Sequence, residues 1–273
     1  MSNISMELHF AVSTGLLFFL SVIALYDLAM KKMFVSKNFL IILELLTSLL
    51  ACSFIFRFSV CKHICTLTNM GYNLLNITFF GLIVSFVVSL LFKLRHLFLL
   101  LCPLFLVIFT AGFIKSLNTI PHKLPNYTIL TYIHITFFTC GIIFNLISLV
   151  FFASERYLYK SLRKKIWGKI GYIHESIEKM GNLGFIFLII TFLMFGLGFL
   201  TGVYRIIETR QFQYLADPLS IGGALSAFLL FITYIFRTYE TKLLSNFTST
   251  LSSNIIVGLS YFLTLFLNLK THN

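Results

Sequence analysis

Among the seven histidines, His9, His134 and His272 fall in or near the ends of long apolar runs, where an imidazole has little water to pair with, while His96 sits at a membrane end where a solvated imidazole needs no explanation. Imidazole ligates metals through either ring nitrogen, and two imidazoles at a membrane boundary form the donor set of an axially held haem iron, with aromatic side chains packing the ring. Arg205, Arg210, Lys123 and Lys270 supply cations that suit haem propionates. The competing reading leaves each histidine at the headgroup level. Two intramembrane carboxylates, Asp27 and Glu44, have a different chemistry: a proton or cation pathway, or a pair with a neighbouring helix. Cys61 and Cys65 flank Lys62-His63-Ile64, a spacing open to a disulfide, a metal site or two plain thiols, but not the CxxCH of covalent haem attachment. Cys52, Cys102 and Cys140 lie in apolar runs as small hydrophobes. No GxSxG, HExxH or P-loop pattern occurs, and the nine Asp and Glu are too dispersed to nominate an acid and base pair. Hydrolase, kinase and metalloprotease chemistry is not expected.

The stretch from Thr128 to Phe152 is of membrane-spanning length, and its less apolar residues are ordered. Thr131, His134, Gly141, Asn145 and Ser148 fall at steps of three, seven, four and three, which a helix sets along one stripe. That stripe must face protein, because an imidazole about 9 Å inside the helix end needs a partner that hydrocarbon cannot offer.

The elements that position these residues follow from composition. Of 273 residues, 58% are hydrophobic and 11% charged, outside the range of a soluble domain, and 33 Phe could not be sheltered by a soluble core. Eight apolar segments, near 8–30, 38–60, 72–92, 96–114, 128–152, 181–203, 219–236 and 251–269, approach the ~20 residues of a bilayer helix. The expectation is an all-α, polytopic transmembrane bundle of about eight spans. Its halves are 1–127 and 128–273, with a tight hairpin between the third and fourth segments. The net charge of +12 lies in short loops rather than on one basic face, so nucleic acid is not a partner and the lipid bilayer is. Fourteen of the 21 Lys and Arg fall in the loops 31–37, 93–95, 153–180 and 237–250, which places those loops in the cytoplasm and both termini outside. The first run lacks a basic leader and is expected to be retained as a span.

Local features refine the segments. Pro103 is expected to kink the fourth. Gly198 and Gly202 have the GxxxG spacing of close helix packing. Pro218 suits the first turn of the seventh, with Asp217 as its cap. In the last segment Asn254, Gly258, Tyr261, Leu265, Asn268 and His272 alternate by four and three, which would set His272 at the top of a polar and small stripe.

His134 through Glu155-Arg156, the stretch Glu175 to Met180, the glycine-rich Gly196 to Gly202, Asp217-Pro218 and the terminal His272 occur in the order seen in the cytochrome c assembly family. The chain resembles that family of polytopic, haem-handling membrane proteins over roughly residues 130–273, and its HemX-type branch most. The resemblance implies that His134 and His272 are paired external axial ligands of haem iron, and that Asp217-Pro218 ends a counterpart of the tryptophan-rich WWD motif. It also implies an inner (plasma) membrane location and other cytochrome c assembly proteins as partners. The tryptophans of that motif are absent: Ala216 precedes Asp217, Tyr214 is nearby, Leu219 stands where Lys is frequent, and the single Trp167 lies in a loop. An accessory of haem supply or its regulation is therefore expected, rather than a full synthase, with His134, His272, Asp217 and Arg205 as cofactor-binding residues. The alternatives are a proton-coupled small-solute transporter that uses Glu44 and Asp27, or a regulatory membrane scaffold of haem metabolism.

Overall fold

In lipid a backbone must bond to itself, so long runs of Leu, Phe and Ile with few interior prolines resolve as helices. The computed structural model describes residues 3–30, 36–62, 70–92, 95–117, 129–163, 177–209, 218–238 and 246–270. Among them lie eight α-helices and no strand: α1 (Asn3–Met30), α2 (Lys37–Lys62), α3 (Met70–Leu91), α4 (Arg95–Leu117), α5 (Ile129–Arg163), α6 (Ile177–Thr209), α7 (Pro218–Thr238) and α8 (Asn246–Lys270). Six contain stretches long and apolar enough to cross a bilayer: Met6–Asp27, Asn38–Phe58, Gly71–Leu91, Leu97–Leu117, Tyr132–Lys160 and Glu178–Glu208. The apolar part of α7, Ile221–Ile235, is shorter. Large apolar side chains are exposed along the helices, among them Phe56, Val107, Leu200 and Phe228, while Ser13, Thr47, Ser85, Asn145, Ser148 and Ser226 are buried. That inversion suits a lipid solvent. The protein is a polytopic helical membrane protein.

One boundary differs from the sequence expectation. The loop at 153–180 is helical at both ends, because α5 continues to Arg163 and α6 begins at Ile177. Ala153 to Trp167 contains neither Gly nor Pro and is rich in good helix formers, so nothing stops the helix where the apolar run does. At 35 residues, α5 is about 50 Å long, beyond the ~30 Å hydrocarbon layer.

The chain divides into two compact units. The first comprises Met1–Lys123 with Tyr157–Ile177, and holds α1 to α4. Its interior is aromatic: Phe10 stacks on Phe113 and Phe109, and Phe54 packs edge-on to both. The α3 and α4 hairpin closes where two glycines meet, since a methyl on Gly71 would lie 2.8 Å from the Gly112 carbonyl oxygen. The second unit comprises Leu124–Arg156 with Glu178–Asn273. Its spine is the antiparallel pair α5 and α6, on which α7 and α8 pack.

Candidate functional site

Glycines in α6 form a row of notches that the side chains of α5 fill. Going up α6, Gly181 faces Glu155, Gly184 faces Phe152, Gly198 faces Phe138 and Gly202 faces His134, while Phe195 fills the notch at Gly141 in the reverse sense. These pairs keep one antiparallel register. Removing side-chain bulk from one helix lets the other approach, and dispersion then holds the pair without a hydrophobic drive. The GxxxG glycines thus do pack, against rings of α5. Gly196, between the notches, faces open space.

The ordered stripe on α5 points into protein, as its spacing requires. Ser148 Oγ donates to the Gly184 carbonyl at 2.8 Å, and Asn145 Nδ2 donates to Ser253 Oγ of α8 at 2.9 Å. His134 Nδ1 lies 2.7 Å from the Gly198 carbonyl oxygen. The side chain of Thr131 lies outside the described residues. A carbonyl only accepts, so Nδ1 carries the proton and Nε2 is left as an unprotonated lone pair. Among the described residues, Nε2 has no hydrogen-bond partner. A histidine in this tautomer, anchored through one ring nitrogen to a backbone carbonyl, is able to offer the other to a metal.

Around that imidazole lies a cavity of about 280 Å³, lined by His134, Phe138, Phe199, Ile206, Ile221 and Leu225 among others. Phe138 is one of its walls. It stands one turn after His134, meets His134 edge-on at 5.0 Å between ring centroids, and fills the notches of both Gly198 on α6 and Gly223 on α7. Sequence reasoning missed Phe138. Its signal was the match between the step of four from His134 to Phe138 and the same step from Gly198 to Gly202. Arg205, one turn beyond Gly202 on α6, is half-buried.

The remaining expected ligands divide between described and undescribed positions. Asp217 and His272 lie outside the described residues, as do Lys123, Arg210, Trp167 and Cys65, and so do the side chains of Cys61 and Lys270. Of the α8 stripe that led to His272, only Asn254 and Gly258 have described side chains. Gly258 is exposed with no atom near it, and Asn254 Nδ2 donates to the Thr250 carbonyl of its own helix. The buried face is Ser249, Thr250, Ser253 and Ser260, with Ser260 in the notch of Gly222 and Ser226 Oγ donating to the Ser253 carbonyl. In the other unit, His9 Nε2 lies 3.0 Å from Ser53 Oγ, whose own proton goes to the Leu50 carbonyl, so this histidine donates through Nε2. Each of the two histidines thus commits one ring nitrogen to a neighbour, His9 through Nε2 and His134 through Nδ1. Asp27 is buried and has a partner, whereas Glu44 Oε1 is buried without one among the described residues. Cys52, Cys102 and Cys140 are free thiols.

The donor set of the cavity bears on what it can hold. It has one soft nitrogen base, apolar and aromatic walls and a nearby guanidinium, and no group of three His, Cys, Asp or Glu occurs among the described residues. A bare metal ion bound by protein alone would need more ligands. A ligand that brings its own donors would ask less of the protein than a bare ion does. Comparison of the chain with protein-family models, characterised proteins and solved structures gives no match.

Proposed function

We propose that this membrane protein binds haem at the outer boundary of the inner membrane, as an accessory of cytochrome c assembly, with His134 as an axial ligand. The reading rests on one observation: the only titratable side chain among the described residues that line the apolar cavity donates Nδ1–H to the Gly198 carbonyl, with no partner for Nε2 among the described residues. Haem would supply an iron that accepts the imidazole lone pair and propionates that take a cation. Gly198 fixes the tautomer, Gly202 leaves room for the ring, Phe138 and Phe199 pack an apolar face, and Arg205 balances acidic groups. His272 is the second ligand proposed, Asp217 a residue of the same site, and other cytochrome c assembly proteins its partners.

The test is the visible spectrum of the purified full chain loaded with haem. Two imidazoles give a low-spin iron with a sharp reduced spectrum. His134→Ala should lose that signal and regain it on added imidazole, while His63→Ala and His96→Ala leave it unchanged. A His134→Ala, His272→Ala protein that keeps its fold, haem content and low-spin character would refute the proposal.

A further inference from the structure

Hydroxyls in a membrane helix ordinarily return their proton to a carbonyl one turn back, and in the first unit Ser21, Thr47, Thr78 and Thr110 do so. Ser13, Thr14 and Ser48 do not. Their hydroxyl oxygens are buried without a partner among the described residues, and so is Glu44 Oε1. Ser13 is 0% exposed, Glu44 2% and Ser48 6%. Tyr72 Oη and Asn73 Oδ1 of α3 are also buried without a partner among the described residues, while the four on α1 and α2 lie on two adjacent helices, a costly arrangement unless something meets them.

Ring contacts give the level of each. Between the parallel helices α2 and α4, Phe54 meets Phe109 and Phe58 meets Phe113. The same offset sets Glu44 level with Leu99 and Ser48 level with Pro103. Between the antiparallel α1 and α2, His9 meets Ser53 and Phe10 meets Phe54, which sets Thr14 level with Ser48 and Ser13 within a turn. Glu44 and Ser48 share a face of α2. Pro103 adds a fifth oxygen. Lacking an N–H, it leaves the carbonyl of Leu99, a fully buried residue at the level of Glu44, without its helical donor.

We propose that Glu44, Ser48, Ser13, Thr14 and the Leu99 carbonyl form a binding site for one dehydrated monovalent cation, of the Na⁺ class, inside the first helical unit. The donors are all hard oxygens, the chemistry of alkali and alkaline-earth ions rather than of transition metals. One carboxylate neutralises one positive charge, so a divalent ion would leave net charge buried. A proton on Glu44 would satisfy the carboxyl, but it would not explain why three neighbouring hydroxyls forgo their own carbonyls. The site belongs to the first unit alone and is independent of the haem reading.

The experiment is equilibrium binding of radioactive Na⁺ to the purified full chain in nanodiscs, with competition by Li⁺, K⁺ and Ca²⁺. Saturable binding of one Na⁺ per chain is expected, displaced by Li⁺ or K⁺ and not by Ca²⁺. Glu44→Gln should abolish it. Pro103→Ala restores an N–H that occupies the Leu99 carbonyl. It should weaken Na⁺ roughly tenfold, as loss of one ligand to a charged group does, while leaving the fold at least as stable. No saturable binding by the native chain, unchanged affinity in either variant, or equal competition by Ca²⁺ would overturn the site. A native chain that binds no Na⁺ but shows a protonated-carboxyl infrared band, lost in Glu44→Gln, would assign the position to a proton instead and likewise overturn it.

Discussion

A methyl group placed on Gly202 would lie 2.6 Å from His134 Cε1 and 2.9 Å from Nδ1. Ordinary carbon contacts are ~3.5–4.0 Å, so Gly202→Ala must drive the ring back by roughly 1 Å. That displacement carries Nδ1 from 2.7 Å to beyond hydrogen-bond reach of the Gly198 carbonyl. Leaving the imidazole N–H unpaired costs about 1–3 kcal/mol, and the overpacking about as much again. Against this, Ala gains up to ~1 kcal/mol over Gly in a helix interior. The expected net loss is roughly 1–6 kcal/mol. Once His134 is replaced by Ala the obstacle is gone, and Gly202→Ala should then stabilise by up to ~1 kcal/mol. The sign change is the test. Gly196→Ala, where nothing lies within 4 Å, is the internal standard and should be neutral or stabilising in both backgrounds. Unfolding of the four proteins in mixed micelles, by titration with a denaturing detergent, gives the double-mutant cycle. An equal effect of Gly202→Ala with and without His134, or an effect matching Gly196→Ala, would refute the notch and with it the positioning of the imidazole.

Two further outcomes are expected. Asn145→Ala and Ser253→Ala should show a coupling of about 0.6–1.7 kcal/mol in the same unfolding assay, the range of interhelical hydrogen bonds in membranes; additivity would mean that α5 and α8 do not share that bond. Reporter fusions after Lys93 and Lys165 should read cytoplasmic and one after Asn273 external, following the bias of Lys and Arg; a cytoplasmic C-terminus would reverse the proposed outer position of His134.

The stripe on α5 was legible because each residue in it solves the same problem. His134, Asn145 and Ser148 carry polar atoms that lipid cannot satisfy, so their common face had to be the protein face, and each finds a partner on α6 or α8. The glycines of α6 were legible as a packing surface for a related reason, but not what they pack against. Spacing on one helix says which face is small, whereas the register against α5 is set by which large rings, Phe138 and Phe152 above all, fall opposite the notches. The helix ends were the least legible. Hydropathy marks where the apolar run stops, and α5 continues for eleven residues past Phe152 to Arg163 because backbone bonding is indifferent to whether its side chains are apolar.

Two residues of the stripe on α8, Asn254 and Gly258, show where such reasoning loses its grip. Asn254 and Gly258 have the spacing of a helix face, yet Asn254 satisfies its amide on Thr250 one turn back and Gly258 offers only an absence of side chain, so neither requires a partner helix. Ser253 and Ser260 lie one residue before and two residues after that pair, roughly 100° and 200° around the helix from Asn254 and Gly258. Ser253 is what the Asn145 amide and the Ser226 hydroxyl both reach, and Ser260 is what the Gly222 notch admits. A polar stripe predicts a buried face only where its atoms cannot be satisfied within their own helix. Amides and hydroxyls that reach back one turn escape that constraint, and an imidazole, too rigid to reach its own carbonyl, does not. The same criterion that removes Asn254 and Gly258 from the packed face therefore leaves His134 on it, and singles out Ser13, Thr14 and Ser48, hydroxyls able to reach back that have not, as the residues whose partner is still to be supplied.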